Sequence, residues 1–191
     1  MRNVWRLIAL ALVILAGGQL VFRSSSRIAP SSIIRSTKPE ETAIGTAIGP
    51  EIGNIAPNFQ LTDIEGKKVL TKAMLLGKPA ILWFTTSWCV PCQIGAEEVR
   101  KLDTDLGGNA FNVVMIFIDP QEELVDLYGW MVNLGNEDWY GTRGNDQIIQ
   151  DYQIRFLDTQ FLLDKEGIIR FTANRVVGYE SYKALIQQLL Q

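Results

Sequence analysis

Histidine is absent from this chain of 191 residues, and only two cysteines are present. Without an imidazole, the chain has no Ser-His-Asp or Cys-His catalytic triad and no histidine metal ligand. Two cysteines form at most one intramolecular disulfide, which excludes a small disulfide-stapled scaffold. The 18 basic side chains are outnumbered by 21 acidic ones, which excludes the large positive surface of a nucleic-acid-binding protein. Any chemistry must therefore come from thiols, carboxylates, hydroxyls or backbone groups.

The amino-terminal segment has the composition of a membrane-spanning helix. Residues 7–22 are almost all apolar, and Arg2 and Arg6 precede them. Counted from Val4, the run is 19 residues long, close to the ~20 residues that span the apolar core of a bilayer. A cleaved secretory signal is the alternative, because such signals also place an apolar stretch after basic residues. We expect residues 1–22 to be an uncleaved membrane anchor.

The rest of the chain divides by composition into a linker and a domain. Residues 23–53 contain three prolines and several serines but no aromatic side chain, so we predict a flexible linker. Residues 54–191 carry 18 acidic and 12 basic side chains, a net charge of -6. This part has the length and the apolar content of one soluble domain.

Hydrophobic periodicity in this domain alternates between the strand pattern and the helix pattern. Strands are predicted at 58–61, 67–70, 79–85, 111–118, 159–163 and 168–172, and helices at 90–106, 122–134 and 180–190. The run at 79–85 is apolar almost throughout, as expected of a strand that is covered on both faces. The order of elements predicts a layered α/β domain with a mixed central sheet.

Both cysteines lie where the buried strand ends and the long helix begins, as Cys89 and Cys92. The unpaired N–H groups and the positive dipole end of a helix start stabilise a thiolate, which lowers the pKa of a thiol there. With Cys89 near the cap and Cys92 one turn further on, the two sulfurs can close a disulfide. A zinc site would need two more cysteine or histidine ligands, which the chain lacks. The pattern predicts a redox-active pair, with no metal and no cofactor.

Five further segments carry recognisable motifs. They are Ala-Pro-Asn-Phe-Gln-Leu-Thr-Asp at 56–63, Gly-Lys at 66–67, Gly-Lys-Pro at 77–79, Phe-Thr-Thr-Ser-Trp-Cys-Val-Pro-Cys at 84–92 and the later hairpin at 161–169. Together they resemble the motifs of membrane-anchored thioredoxin-like proteins of the TlpA/ResA type, within the redoxin (AhpC/TSA) superfamily. The resemblance implies a thioredoxin-like fold, a mixed central sheet flanked by helices. It also implies a thiol-disulfide oxidoreductase.

The resemblance assigns roles to individual residues. Cys89 is expected to be the attacking thiol and Cys92 the resolving thiol. A second group is expected to line the substrate groove or to modulate the cysteines: Trp88, Pro91, Asp158 and Thr159. The expected partners are protein disulfides and an electron donor of the membrane or thioredoxin type. Such proteins are held outside the cytoplasmic membrane, often acting in cytochrome c maturation, so we expect an extracytoplasmic domain.

Three positions depart from the family pattern. Asp158 stands where the family has a cis-proline, beside the sulfurs. It could raise the pKa of Cys89, accept a proton, ligate a metal together with the two thiolates, or simply cap the loop and point to solvent. Trp83 replaces the buried acid of the strand before the motif, and Gly95 replaces an acid in the helix. Asp119 and Asp158 therefore remain as candidate proton-handling groups.

Two other functions compete with the oxidoreductase. Thr86 stands three residues before Cys89, as in peroxiredoxin-like thiol peroxidases, but Leu82 occupies the position of their proline. A Sco-like copper chaperone could use thiolates and Asp158, because thiolates favour Cu(I). Sco proteins, however, space their cysteines differently and add a histidine. Both functions are kept as alternatives.

Overall fold

The computed structural model describes Gly45 and residues 47–191. The predicted anchor at 1–22 and most of the predicted linker at 23–53 lie outside the described residues. Within 47–191, no helix is both long enough and apolar enough to cross a bilayer. The boundary predicted between residues 53 and 54 stays a prediction, although Gly53 already donates its N–H to the carbonyl of Ile169 in the domain.

Seven strands, four α-helices and one 3-10 turn make up the described part of the domain. The strands are β1 (Gln60–Thr62), β2 (Val69–Thr71), β3 (Ala80–Thr85), β4 (Asn112–Phe117), β5 (Tyr140–Arg143), β6 (Thr159–Leu163) and β7 (Ile169–Asn174). The helices are α1 (Val90–Asp105), α2 (Leu124–Leu134), α3 (Asp146–Asp151) and α4 (Tyr179–Leu189), and the 3-10 turn is Lys72–Leu75.

Five strands form one mixed sheet in the order β5-β4-β3-β6-β7, and β1 and β2 form a separate antiparallel hairpin. The strands β3, β4 and β5 run parallel, whereas β6 and β7 are antiparallel to their neighbours. Because β3 is central, all six of its side chains are buried. Parallel strands end at the same edge of a sheet, so the residues after β3 and after β4 lie side by side.

Each face of the sheet packs against its own apolar cluster. Alternate residues of β3 belong to different clusters, as the pleat of a strand requires. Trp83 packs with residues of α1, α2 and α4, whereas Phe84 packs with residues of α3 and of the β1–β2 hairpin. The helix that carries the cysteines is therefore held against the Trp83 face of the sheet.

The sequence prediction of the strands and α-helices is confirmed except at two places. All six predicted strands and all three predicted helices are present, with ends shifted by two residues or fewer. The strand β5 and the helix α3 were not predicted. β5 has only four residues and contains Gly141, and α3 has only six residues, so neither is long enough to show a period.

Both edge strands of the sheet are bonded to chain that precedes β3. Asp63, just after β1, forms an antiparallel bridge with Thr142 of β5. At the other edge, Ile55 forms an antiparallel bridge with Ile168, and Ile169 donates its N–H to the carbonyl of Asn54. The segment from residue 53 to β1 is therefore an integral part of the fold.

Candidate functional site

The two cysteines form a disulfide at the start of α1. Cys89 is the N-cap residue of α1, and its Sγ accepts a hydrogen bond from the N–H of Cys92 at 3.3 Å. Pro91 lies in the first turn, where a residue without N–H leaves no intrahelical bond unmade. The Cα atoms of the cysteines are 5.3 Å apart. The predicted position at a strand-to-helix junction, with one sulfur at the cap, is confirmed.

The two sulfurs differ in their access to solvent. Cys89 is 5% exposed and lies in the wall of a surface cavity of about 730 Å³. Cys92 is fully buried and does not line this cavity. A molecule in the cavity can therefore approach the sulfur of Cys89 and not that of Cys92.

The walls of this cavity, here called the cysteine cavity, are mainly apolar. Trp88 and Pro91 lie on the α1 side, and Leu157 and Asp158 come from the loop before β6. The segment after β7 adds Asn174, Arg175 and Val176. Arg175 is the cationic residue of the lining, so the cavity combines an apolar surface with one positive charge.

Trp88 is held beside the cysteines by a residue from the neighbouring strand. Its side chain is 59% exposed, yet the indole N–H donates to Oδ2 of Asp119 at 3.1 Å. Asp119 follows β4, and because β3 and β4 are parallel, it lies next to the segment that follows β3. Asp119 also accepts the N–H of Gln121, so its carboxylate anchors the exposed indole.

Asp158 has its side chain inside the protein. It is 4% exposed and has a φ of 59°, a left-handed conformation that aspartate adopts more readily than most residues. Its Oδ1 accepts hydrogen bonds from Trp83 Nε1 at 2.9 Å and from Gln160 Nε2 at 2.7 Å, while its Oδ2 has no partner. Burial raises the pKa of Asp158, and the bonds from Gln160 and Trp83 partly oppose that shift. The suggestion that Asp158 caps the loop in solvent is wrong.

Trp83 connects the three departures from the family pattern. Its ring is fully buried, and a Cβ atom added to Gly95 would lie only 2.8 Å from its Cη2 atom. The helix therefore has room for this indole only because residue 95 is glycine. The indole N–H in turn binds the carboxylate of Asp158. At the sheet position where the family resemblance implies a buried acid, this chain has an indole, and that indole is bonded to the carboxylate of Asp158.

The structure brings together most of the residues predicted for the site. Cys89, Trp88, Pro91 and Asp158 all line the cysteine cavity, with Cys92 directly behind. Thr159 does not line it, and its hydroxyl donates to the carbonyl of Phe156 at 2.7 Å. Thr159 is the first residue of β6 and lines a different cavity, together with Tyr152 and Phe161.

Two groups of residues in the site were not predicted from the sequence. They are the cavity residues Asn174, Arg175 and Val176, which follow β7, and the polar pair Gln160 and Tyr182. The hydroxyl of Tyr182 in α4 donates to Gln160 Oε1, which extends the polar chain from Trp83 and Asp158. No motif marks these positions, although Gln160 stands only two residues after Asp158 and donates a hydrogen bond to its Oδ1.

Acidic and thiol side chains do not gather into a metal site in the described part of the chain. No group of three or more histidine, cysteine, aspartate or glutamate residues lies close enough to hold an ion there. In the disulfide state, Cys89, Cys92 and Asp158 do not form such a group.

Comparison with known proteins places this site in a family. The sequence model of the AhpC/TSA family matches residues 52–172. The thiol-disulfide oxidoreductase ResA of Bacillus thuringiensis (strain Al Hakam) is 30% identical over 135 residues, which cover 71% of this chain and 75% of that protein. The family match and this identity both span the strand-to-helix junction that carries the two cysteines.

Solved structures agree on the fold. A thiol:disulfide interchange protein of the thioredoxin family from Chlorobium tepidum TLS superposes with a TM-score of 0.63 at 20% identity, covering 71% of this chain and 95% of that one. Copper-bound ScoI of Bradyrhizobium japonicum superposes with a TM-score of 0.59, also at 20% identity, covering 71% and 99%. At this identity both show the fold alone, and the expected thioredoxin-like fold is confirmed. The chain belongs to the AhpC/TSA family and, within it, to the thioredoxin-like thiol-disulfide oxidoreductases.

Proposed function

We propose that this protein reduces disulfide bonds of extracytoplasmic partner proteins, with Cys89 as the attacking thiol and Cys92 as the resolving thiol. The observation that carries the proposal is the unequal access of the two sulfurs. Cys89 lines a cavity open to solvent, whereas Cys92 is fully buried behind it. Only Cys89 can meet a substrate disulfide, and only Cys92 is placed to displace the substrate afterwards.

The helix start supplies the activation of Cys89. The N–H of Cys92 already donates to Sγ of Cys89 in the disulfide state. After reduction, the same N–H and the positive end of the α1 dipole stabilise a thiolate at this position. A thiolate at neutral pH is what nucleophilic attack on a disulfide requires.

The reaction consists of two exchanges. The Cys89 thiolate attacks one sulfur of the substrate disulfide, forming a mixed disulfide and releasing the other substrate sulfur as a thiol. Cys92 then attacks Cys89, forming the enzyme disulfide and releasing the second substrate thiol. Two electrons pass from the enzyme to the substrate, and a dithiol donor of the membrane or thioredoxin type restores the reduced pair.

The cysteine cavity supports a protein as the substrate. Its apolar walls, which include Trp88, Pro91 and Val176, suit the side chains beside a cysteine in an extended segment. The indole of Trp88 is exposed but fixed by Asp119, so it offers a large contact surface at little conformational cost. Disulfide partners in cytochrome c maturation are included in the proposal on the basis of the family resemblance.

Membrane attachment is a further part of the proposal. Residues 1–22 have the length and composition of a spanning segment, and the acidic domain that follows position 53 carries the cysteines. An anchored domain on the outer side would meet secreted proteins whose cysteines have been oxidised. Labelling of intact cells with a membrane-impermeant maleimide tests this placement: we expect Cys89 to react after mild reduction without lysis. Labelling that requires lysis would contradict it.

A trapping experiment tests the catalytic roles. The full chain with Cys92→Ser should accumulate mixed disulfides with partner proteins, because the attacking thiol remains and the resolving thiol is gone. The matched variant Cys89→Ser should trap none, because its remaining thiol is buried. Equal trapping by both variants, or by neither, would refute the assigned roles.

Activity assays separate the two alternatives from the oxidoreductase. The wild-type chain should accelerate reduction of insulin by dithiothreitol. A peroxidase would instead consume hydrogen peroxide with a thiol donor, and a copper chaperone would retain copper through a desalting column. Either of those activities without insulin reduction would replace the proposal.

A further inference from the structure

A second cavity adjoins the cysteine cavity at Trp88. It has a volume of about 750 Å³ and lies between one face of α2 and the segments that follow β3 and β4. We call it the α2 cavity; its lining includes Ser87, Trp88, Asp119, Glu122, Asp126 and Gly129. Trp88 lines both cavities, so its exposed indole is a wall that they share. A polypeptide that presents a disulfide to Cys89 and continues past this indole therefore reaches the α2 cavity.

The α2 cavity is negatively charged. Its lining holds the carboxyl groups of Asp119, Glu122 and Asp126, and no lysine or arginine of the described chain is part of it. Two arginines lie nearby, but their guanidinium groups are bonded to backbone carbonyls. Arg143 donates to the carbonyls of Asp119 and Glu122, and Arg100 donates to a carbonyl near the end of α2. The cavity therefore attracts a cation.

Glu122 lacks one of its hydrogen-bond partners. The residue is only 8% exposed, and its Oε1 accepts the N–H of Ser87, whereas its Oε2 is buried and has no partner within residues 47–191. A buried carboxylate oxygen without a donor is unfavourable, so a donor that arrives from outside the protein would stabilise it. Because Glu122 lines the α2 cavity, a cation bound there is in a position to supply this donor.

The arrangement favours a basic side chain over a metal ion. Within the described part of the chain, no three acidic or thiol side chains lie close enough to hold an ion. Separated carboxylates suit the several N–H donors of lysine or arginine instead. The 59% exposed indole of Trp88 offers a surface for the apolar stem and for the charge of such a side chain. Gly129 leaves room beside it, since no atom lies within 4 Å of an added Cβ.

We propose that the α2 cavity binds a lysine or arginine side chain of the substrate polypeptide, close in sequence to the cysteine that Cys89 attacks. This inference rests on the proposed function and names its substrate class, disulfides flanked by a basic residue. The basic side chain donates to Oε2 of Glu122, and Asp119 and Asp126 add attraction over longer distances. The cysteine cavity disfavours the same side chain, because it carries Arg175. The unequal charge on the two sides of Trp88 thus orients the substrate.

Peptides that differ in one charge test this substrate class. Each peptide carries a single cysteine as a mixed disulfide with thionitrobenzoate. Lysine, glutamine or glutamate is placed at each of the three positions on either side of it in turn, since an extended chain advances about 3.4 Å per residue and one indole separates the two cavities. The reduced full chain in detergent attacks the peptide sulfur, and the released thionitrobenzoate gives the second-order rate constant. The same peptides with dithiothreitol give the intrinsic reactivity, to which each rate is normalised.

At the best position, the lysine peptide should react about fivefold faster than the glutamine peptide, and the glutamate peptide more slowly than both. Sodium chloride at about 0.5 M should reduce this preference, because charges that water can reach are screened. Equal normalised rates for the three peptides at every position would overturn the inference and leave the proposed function standing. Failure of the reduced chain to react with any peptide would contradict the proposed function itself.

Variants assign the preference to this cavity. Glu122→Gln keeps an acceptor for the N–H of Ser87 but removes the charge, and it should lower the ratio of the lysine rate to the glutamine rate about threefold. Asp126→Lys, at an exposed position of α2, should reverse the order, so that the glutamate peptide reacts faster than the lysine peptide. Loss of structure would slow all peptides alike and would not reverse their order.

Glu123→Gln is the matched control. Glu123 is adjacent to Glu122 and exposed, but it does not line the α2 cavity. The variant removes the same charge from the domain, so its lysine-to-glutamine ratio should stay within about 1.5-fold of wild type. An unchanged ratio in both Glu122→Gln and Asp126→Lys would overturn the inference. An equal fall in Glu123→Gln and Glu122→Gln would overturn it as well, because the preference would then come from the overall acidity of the domain.

Discussion

A methyl group added at Gly95 would test how tightly Trp83 fills the space beneath α1. In Gly95→Ala, the new Cβ would lie 2.8 Å from Cη2 and 3.0 Å from Cζ2 of the Trp83 ring. The ring has little freedom to move, because it is fully buried and its Nε1 is bonded to Asp158. The strain therefore has to be taken up by α1 or by the hydrogen bond.

Two opposing effects set the magnitude. Alanine is favoured over glycine inside a helix by about 1 kcal/mol. Overpacking a well-filled core costs about 1–3 kcal/mol. Because the contact is with a rigid ring, we expect overpacking to dominate, so Gly95→Ala should lower the free energy of unfolding by about 1 kcal/mol.

Gly129 in α2 provides the matched control. It also lies in the middle of a helix, but nothing is within 4 Å of an added Cβ. Gly129→Ala should therefore raise the free energy of unfolding by about 0.5–1 kcal/mol. Urea unfolding of the oxidised chain in detergent measures both variants. A Gly95→Ala protein as stable as the Gly129→Ala protein would refute the packing argument.

Three further predictions concern individual side chains. The pKa of Asp158 is raised in the folded state, so between about pH 4 and that raised pKa the folded protein holds a proton that the unfolded chain has lost. As pH rises through this window, the wild type should therefore lose stability relative to Asp158→Asn. Urea unfolding at several pH values measures this, and a constant difference between the two proteins would contradict the burial of this carboxyl. Trp88→Ala should raise KM for a protein disulfide more than it lowers kcat. The free energy of unfolding should change by no more than about 0.5 kcal/mol, because this indole is 59% exposed. An unchanged KM would show that Trp88 does not contact the substrate. The carboxylate of Asp164 accepts hydrogen bonds from Arg170 Nε at 2.6 Å and from two backbone N–H groups. Asp164→Ala should therefore lower the free energy of unfolding in urea by about 2 kcal/mol. An unchanged value would show that the β6–β7 turn forms without this side chain.

Local patterns were sufficient to predict most of the fold. The run before the motif is apolar on both faces, and β3 is the central strand that this implies. Asp164 to Gly167 has the composition of a hairpin turn, and β6 and β7 pair across it. Such features depend on neighbours in the sequence. β5 depends on a distant partner instead, since it is a strand only because it pairs with β4.

In the candidate site too, some features are set by neighbouring residues and others by distant ones. Cys89 and Cys92 are recognisable because their spacing and their place after a strand are local properties. The orientation of Asp158 is not local: it depends on a left-handed backbone at that residue and on an indole from another strand. Asp158 and Thr159 were both predicted to belong to the groove, but strand pairing begins at Thr159, and its side chain lines a different cavity from that of Asp158.

The segment that covers the two edges of the sheet bears on association between molecules. An uncovered edge strand presents free N–H and C=O groups, which can pair with a second copy of the chain. Here the bridge from Asp63 to Thr142 occupies part of one edge, and the bonds around Ile55 and Ile169 occupy part of the other. These bonds oppose the pairing of the edge strands with the sheet of a second molecule. Under the proposed membrane attachment, many chains would be held at high local density, where uncovered edge strands would promote aggregation.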